Sequence, residues 1–590
     1  VTAIYHYNYF TSTPDFLNGF DATFPVAPFT NNQGSQISNR NQFSTAWRWN
    51  IGTNKSNEIR AGLVSSPVTF FPDLNTALYP QVTTNLGNIR IRPSLNLVSQ
   101  PLLAFVTQGR NGGIFQLIET FSWSKGRHNI TIGGNWTEVI FKDFNASSAV
   151  GGVGLGITSD DPASGLFDPA NFPGSSSTDR GNAQSLYGML AGRVTSFSAN
   201  VFLDIDSRQF TQGVRRLRNV RQTEIAMYIQ DSFRLRPNFT VNAGVRWDYQ
   251  GAPRDNFNMT FRNTGADFGE QIAGISGSLD NLFNPGAGSG PPPGYVLNGD
   301  TPWYNRDLNN FAPNLGFAWT PHFENTLWTT LFGGPGRTVL RGGYSVSYTR
   351  EGLNNWISMA FGNPGFQGDL DAVASASGGP GTFAPGSVSL AAGFIPNVIS
   401  SPAAFVDNFV LDPVSGQSVN VFNPDLGMPY VQSWSFSIQR ELTPSTVVEV
   451  RYVGNHGTGL WRQYNLNEPN IFETGFLDEF LLAQNNLAIC RANTAACIAA
   501  QSAAGASTTT ANNYANWGLP GQMPLPIMTA AFTGSTTGAQ TNSNFRSGSR
   551  VSNLDNGAAG SFANTLSGSL TFWNNIQAAG FPANFWVLNP

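Results

Sequence analysis

The sequence predicts an all-β chain: an antiparallel, up-and-down sheet of about 11 strands, spanning a membrane as part of a transmembrane β-barrel and carrying long loops at one end. Three observations predict it. Strand-length segments alternate apolar and polar residues with period two, the mark of a strand with different surroundings on its two faces. Connections between them alternate between a few residues and several dozen. The composition suits strands and turns: of 590 residues only 12% are charged, 13% are aromatic, and Gly (63) and Pro (36) are abundant.

The strands follow in order: 1–10, 42–52, 57–66, 113–124, 129–142, 222–235, 239–250, 310–319, 337–349, 431–441 and 446–456. The stretch 239–250 shows the pattern most fully. Phe239, Val241, Ala243, Val245, Trp247 and Tyr249 share one face, and Thr240, Asn242, Gly244, Arg246, Asp248 and Gln250 share the other. Very short turns at 53–56, 124–127, 236–238 and 442–445 join pairs of strands. Between pairs lie Gly-, Pro-, Ser- and Asn-rich segments, 67–112, 143–220, 251–308 and 351–429, and one enlarged turn, 321–336. Minimal hairpins at one end and elaborate loops at the other are the layout of an outer-membrane barrel, with short periplasmic turns and long extracellular loops. A soluble sandwich normally turns its polar face outward and does not confine such loops to one end. The domain reading is therefore a barrel wall with its loops over 1–456, and a long extracellular loop region over 457–590 with a helical segment near 475–501.

Composition and motifs exclude much. A net charge of −4 without basic clustering argues against nucleic acid. No run of 18 apolar residues exists, so a spanning chain must use strands. The four histidines, His6, His128, His322 and His456, do not stand at metal-ligand spacing. The Gly-rich stretches 151–156 and 333–338 read as loops and fit no phosphate-binding motif. No nucleophile elbow appears. The chain is expected to be no enzyme and to need no cofactor or metal. Cys490 and Cys497 form a C-x6-C pair that matches no zinc motif, leaving a local disulfide or two free thiols.

Several blocks carry a resemblance. "YIQDSFRLRPNFTVNAGVRWDYQGAP" (228–253), "NNFAPNLGFAWTP" (309–321), "TVLRGGYSVSYTREG" (338–352) and "PYVQSWSFSIQRELTPSTVVEVRYVGNHGTGL" (429–460) resemble the barrel of TonB-dependent receptors, most nearly the Oar-like group abundant in Acidobacteria. "FSWSKGRHNITIGGNW" (121–136) and "QFSTAWRWNIGTNKSNEIRAG" (42–62) resemble further blocks, in the family's order. The family's signal peptide, small β-sandwich, TonB-contacting segment and plug have no counterpart in this sequence, nor has its closing aromatic strand. The chain is thus expected to be a fragment, about half of a barrel wall.

The resemblance implies energised uptake of a scarce large solute, such as an iron chelate, oligosaccharide or peptide, across the bacterial outer membrane. Its partners would be outer-membrane lipid, an unknown solute and the inner-membrane TonB complex, reached through the absent plug. Two rivals stand beside it: a surface structural or adhesion protein anchored by a barrel, and an extracellular β-rich binding module. Candidate lumen-facing residues are Arg246, Asp248, Arg341, Glu449 and Arg451, expected to pair Arg to carboxylate across neighbouring strands. Candidate girdle residues, by their position near strand ends, are Trp136, Trp247, Tyr249 and Tyr348. In the loop helix Phe476, Phe480, Leu481 and Leu487 supply the apolar stripe.

Overall fold

A computed structural model describes residues 1–13, 34–72, 107–146, 152–211, 214–263, 294–299, 301–350, 352–376, 381–390, 420–465, 467–507, 509–582 and 584–587, together with 15, 85–86, 89–90, 92–94 and 408–410. Parts of the long loops 67–112, 143–220, 251–308 and 351–429 lie outside the described residues. Eleven long strands form one sheet: β1 (Thr2–Ser12), β2 (Gly34–Ile51), β3 (Lys55–Pro72), β4 (Gln108–Lys125), β5 (His128–Asn145), β6 (Arg216–Arg236), β7 (Phe239–Gln250), β8 (Phe311–Trp319), β9 (Thr338–Tyr348), β10 (Tyr430–Thr443) and β11 (Thr446–Thr458). Each pairs antiparallel with the next, so sequence order is spatial order; a short piece, Arg254–Asp255, adds to the edge of β6. Among the described residues the sheet is open, with β1 and β11 as its edges.

Every predicted strand corresponds to one of these, and five of them, β2 to β6, run three or more residues further toward the loops. The turns are tight because their residues permit it. Gly52 and Gly126 have φ of +69° and +61°, a region that β-carbon-bearing residues rarely adopt. Pro237 sits in the turn between β6 and β7, where it removes no ladder donor. The enlarged connection between β8 and β9 contains a short helix, Thr326–Phe332, capped by the Asn325 side chain.

Within the wall, glycines receive aromatic rings from the directly opposite residue. Tyr228 covers Gly133, Phe317 covers Gly342, Trp434 covers Gly454 and Phe144 covers Gly109. A β-carbon added at these glycines would stand 2.5–2.8 Å from the ring. The ring replaces the missing side chain, so a strand residue that is otherwise destabilising becomes a packing site.

The long loops meet one another at one end of the sheet. Strands Arg92–Ser94, Gly152–Leu155, Val194–Leu203, Phe210–Thr211, Gln367–Ala374 and Thr382–Phe383, drawn from three separate loops, make a second sheet. Val153, Phe197, Val201, Leu370 and Ala372 form its buried core. Most of 151–156, read from sequence as loop, is therefore a strand, Gly152–Leu155, because pairing with Val194–Ser198 satisfies its backbone. Arg193 and Asp161 close this unit with an ion pair at 2.6 Å.

The segment after β11 is mainly helical. Six helices, α1 (Phe476–Ala492), α2 (Thr494–Ala503), α3 (Pro526–Thr533), α4 (Gly548–Asp555), α5 (Ala559–Ser567) and α6 (Leu570–Ala578), surround an apolar core. Phe476, Phe480, Tyr514, Phe545, Phe562 and Trp586 are fully buried in it. The single helix expected near 475–501 is instead two, interrupted at Asn493, and Leu481, expected on its apolar stripe, is 54% exposed while Phe476, Phe480 and Leu487 are buried. Cys490 and Cys497 are joined across the interruption, their Cα atoms 5.3 Å apart. The Glu479 carboxylate accepts from the Ile527 and Met528 amides at 2.8 and 2.7 Å, so a residue of α1 caps the first turn of α3.

Candidate functional site

The two faces of the sheet differ in kind. Strand register places Phe43, Trp47, Leu63, Leu117, Ile132, Trp136, Ile229, Val245, Phe317, Trp434, Phe436 and Val450 on one face. None is buried: Leu63 is 51% exposed and Val450 67%. A soluble sandwich would cover such a surface, since fully burying a side chain of this size is worth about 1.5–3 kcal/mol.

The opposite face carries charge, held in short pairs. Arg246 binds Asp248 at 2.8 Å and donates to the Asn135 amide oxygen at 2.9 Å on a strand two away. Arg451 binds Glu449 at 2.7 Å. Arg341 stands opposite Ala318 and Ser437 and has no acidic partner among the described residues. All five candidate residues thus lie on the polar face. Their pairing differs from expectation, for the two ion pairs run along one strand, between residues i and i+2, and not across strands. Same-face neighbours on one strand are close enough for an arginine to fold back on its carboxylate.

Cross-strand pairs do exist, at positions the sequence reading passed over. Arg48 holds Glu58 from the neighbouring strand, with Arg60 adding to it along Glu58's own strand, and Arg218 grips Asp143 through two nitrogens. Alternation would have found the first set, because Arg48 lies between Trp47 and Trp49. The bidentate geometry of the second is the stronger kind of contact.

The four aromatic candidates lie on the apolar face. Trp247 and Tyr249 stack with centroids 6.3 Å apart near the loop end of β7, and the Trp247 indole N–H donates to the Leu308 carbonyl at 2.8 Å. Tyr348, last in β9, packs on Tyr430 at 5.6 Å. Trp136 departs from its expectation: β5 continues to Asn145, which leaves Trp136 eight residues from one end and nine from the other. It lies in one row with Ile225 and Tyr249. The strand extends because its continuation pairs with the additional residues of β6.

Charged groups interrupt the apolar face at several positions, the Arg221–Glu138 pair near the loop end among them. Beside the turn after β4, His128 Nδ1 stands 2.6 Å from an Asp231 carboxylate oxygen, and the imidazole stacks on Phe233 at 4.3 Å. Further into the band, Glu119 takes its place between Leu117 and Phe121 on the apolar face of β4, opposite Ile59 and Gly134. It has no hydrogen-bond or ion-pair partner among the described residues. No group of three or more metal-ligating side chains occurs among them.

An antiparallel up-and-down wall with an uncovered apolar face, a charged face, short turns at one end and elaborated loops at the other defines a transmembrane β-barrel wall of the bacterial outer membrane. The chain belongs to the outer membrane beta barrel domain family, whose model matches residues 1–545. No curated protein matches it. Among solved structures it is similar to the outer membrane transporter YddB from Escherichia coli, at 9% identity and a TM-score of 0.33, over 72% of this chain and 34% of that one. It is also similar to the siderophore receptor PiuA from Acinetobacter baumannii (9% identity, TM-score 0.27, 72% of this chain and 40% of that one). A third is the ferric-catecholate import receptor Fiu from Escherichia coli K12 (12% identity, TM-score 0.30, 80% of this chain and 50% of that one). The chain spans about a third to a half of the length of these barrels.

Proposed function

We propose that the chain is part of the wall of a TonB-dependent transporter of the Oar-like type, with the polar face lining the lumen and the apolar face meeting lipid. The observation that carries this reading is the division of one continuous sheet into an uncovered apolar face and an ion-paired polar face. The resemblance of six sequence blocks to that receptor group, in order, adds the transport function. In this reading the described edges β1 and β11 pair with further strands of the same barrel, since an open edge in lipid leaves backbone groups without partners. The linked loops lie outside the cell and capture the solute. A plug supplied by the rest of the protein blocks the lumen and responds to the energising complex. The paired charges Arg246–Asp248 and Glu449–Arg451 give a hydrated, stiff lumen wall, and Arg341 offers a free cation to plug or solute. Cys490 and Cys497 brace the helical segment in an oxidising exterior.

The test is uptake. Culture medium from the wild type, a strain lacking the full-length gene and a strain lacking the energising complex is compared by untargeted mass spectrometry. A solute consumed only by the wild type supports the reading. Medium consumed identically by all three strains, with loss of surface attachment in the gene deletion, would favour the anchored-adhesin rival.

A further inference from the structure

On the apolar face, two cavities lie end to end along β5, β6 and β7. The first arises at a break in the row of side chains. Gly134 stands between Glu119 and Met227 in its row and contributes no side chain. The gap opens a groove of about 590 Å³ walled by Leu117, Ile132, Trp136, Met227, Trp247 and Phe311. Two residues further toward the loops the chemistry changes. On β6, Ile225 of the groove is followed on the same face by Thr223 and Arg221. On β7, Trp247 is followed by Tyr249. Tyr249 is directly opposite Ile225, so the second cavity begins in the row where the first ends. That cavity, about 550 Å³, is bounded by Arg221, Tyr249, Arg254, Tyr304 and Arg306.

Its charge balance is positive. Arg221 is paired with Glu138. Arg254, directly opposite Arg221, and Arg306 have no acidic partner among the described residues. Asp255 also borders the cavity, but its carboxylate accepts from the Phe257 and Met259 amides at 3.0 and 2.6 Å and is committed there. Glu119, an unpaired carboxylate, stands at the side of the groove, in the row of Gly134. The site is therefore apolar along most of its length and cationic at the loop end, with one carboxylate at its side. A small hydrophilic anion would use only the cationic end and leave the groove empty. A phosphate-bearing lipid uses both the cationic end and the apolar groove.

We propose that this outer face of β5–β7 holds one anionic, phosphate-bearing membrane lipid, with an acyl chain over Gly134 and the phosphate between Arg254 and Arg306. The proposal rests on the reading that the apolar face meets lipid. Basic pockets at the membrane surface bind anionic headgroups by this chemistry, while the aromatic wall fixes the chain.

The experiment uses the full-length protein in dodecylmaltoside micelles doped with brominated phosphatidylglycerol or brominated phosphatidylcholine. A fluorophore is placed at Leu315→Cys beside the groove or at Leu63→Cys, on the same face but away from it. Both positions should be quenched. At position 315, and not at 63, phosphatidylglycerol should quench at a concentration about tenfold or more below phosphatidylcholine. The double variant Arg254→Gln/Arg306→Gln should lose roughly thirty-fold in that preference at most, bringing the two lipids together. Gly134→Leu, which fills the groove, should abolish quenching selectivity at 315 while leaving position 63 unchanged. Equal quenching by the two lipids at 315 in the wild type overturns the lipid site and leaves the face assignment standing. Inorganic phosphate binding that depends on the two arginines, without any lipid preference, identifies a free-anion site and overturns the proposal too. No quenching at either position overturns the face assignment, and the site with it.

Discussion

The phenol end of Tyr228 fills the space over Gly133, and its hydroxyl stands 3.1 Å from Thr120 Oγ1 on the next strand. One side chain thus bridges three strands of the polar face, β6, β5 and β4, and it can do so only because the middle strand offers no β-carbon. A β-carbon at Gly133 would stand 2.7 Å from the Tyr228 hydroxyl and would press on the Glu119 carbonyl oxygen. Gly133→Ala should therefore destabilise the wall by about 1–3 kcal/mol, the range for overpacking. Tyr228→Phe keeps the ring and should cost about 1 kcal/mol. Thermal unfolding of the full-length barrel in detergent, followed by its gel-mobility shift, ranks the two. A larger loss for Tyr228→Phe would show that the hydroxyl, not the ring, joins the strands.

The faces of β7 are separable by one charge. Val245 is directly opposite Ile229 and Pro313, with no acidic residue in its row nearby. Val245→Arg should cost about 2–4 kcal/mol if the site is near the bilayer midplane, and impair assembly. Asn242→Arg, on the polar face, should assemble normally. Ala243 is a poorer probe, because it faces Asp231, which could accept an introduced arginine. Barrel yield in outer-membrane fractions is the measurement, and equal yields would contradict the assignment of faces.

Topology is tested by access. Cysteine at Gly126 in the turn after β4 should resist a membrane-impermeant thiol reagent in intact cells. Cysteine at Leu166, in the loop between β5 and β6 and 54% exposed, should react. Reaction at both positions in intact cells would remove the proposed sidedness.

Glu479 should make the helical segment sensitive to pH. Burial pushes its carboxyl up to about 7 from an ordinary 4.5, against the two amides that favour the charged form. The folded state then holds a proton that the unfolded state releases between these values. Stability should be greatest below about pH 4.5 and fall by up to about 3 kcal/mol as pH rises through 7. Hydrogen exchange of the α1 and α3 amides in the full chain should quicken from pH 5 to pH 7.5 beyond the intrinsic rate change. Glu479→Gln should flatten that dependence, and an unchanged slope would assign it to another group.

The bond between Cys490 and Cys497 should be present in protein taken from the outer membrane. Alkylation without reduction should add nothing to the chain, and reduction should release two reactive thiols. Loss of this short covalent loop should lower the stability of the α1–α2 corner by about 2–3 kcal/mol. Two thiols titrating before reduction would show the free form.

The strand order, the positions of the turns and the separation of charged from apolar faces were legible in the sequence. Each depends on local rules: period-two alternation reports two unlike surroundings whatever the neighbours are, and a hairpin of two residues leaves no choice of partner. Arg246, Asp248, Arg341, Glu449 and Arg451 could be placed on one face for that reason. Their partners could not, because whether an arginine folds back along its own strand or reaches across depends on register and on which neighbour lacks a side chain. Only the tertiary structure decided that Tyr228 lies over Gly133, that Gly134 leaves a groove beside Trp247, and that Arg254 and Arg306 border the cavity next to it. Residues from three loops form the second sheet, and α1 caps α3 through Glu479, by contacts between segments distant in sequence. Such contacts are selected by the shape and satisfaction of the assembled whole, and no local pattern encodes them.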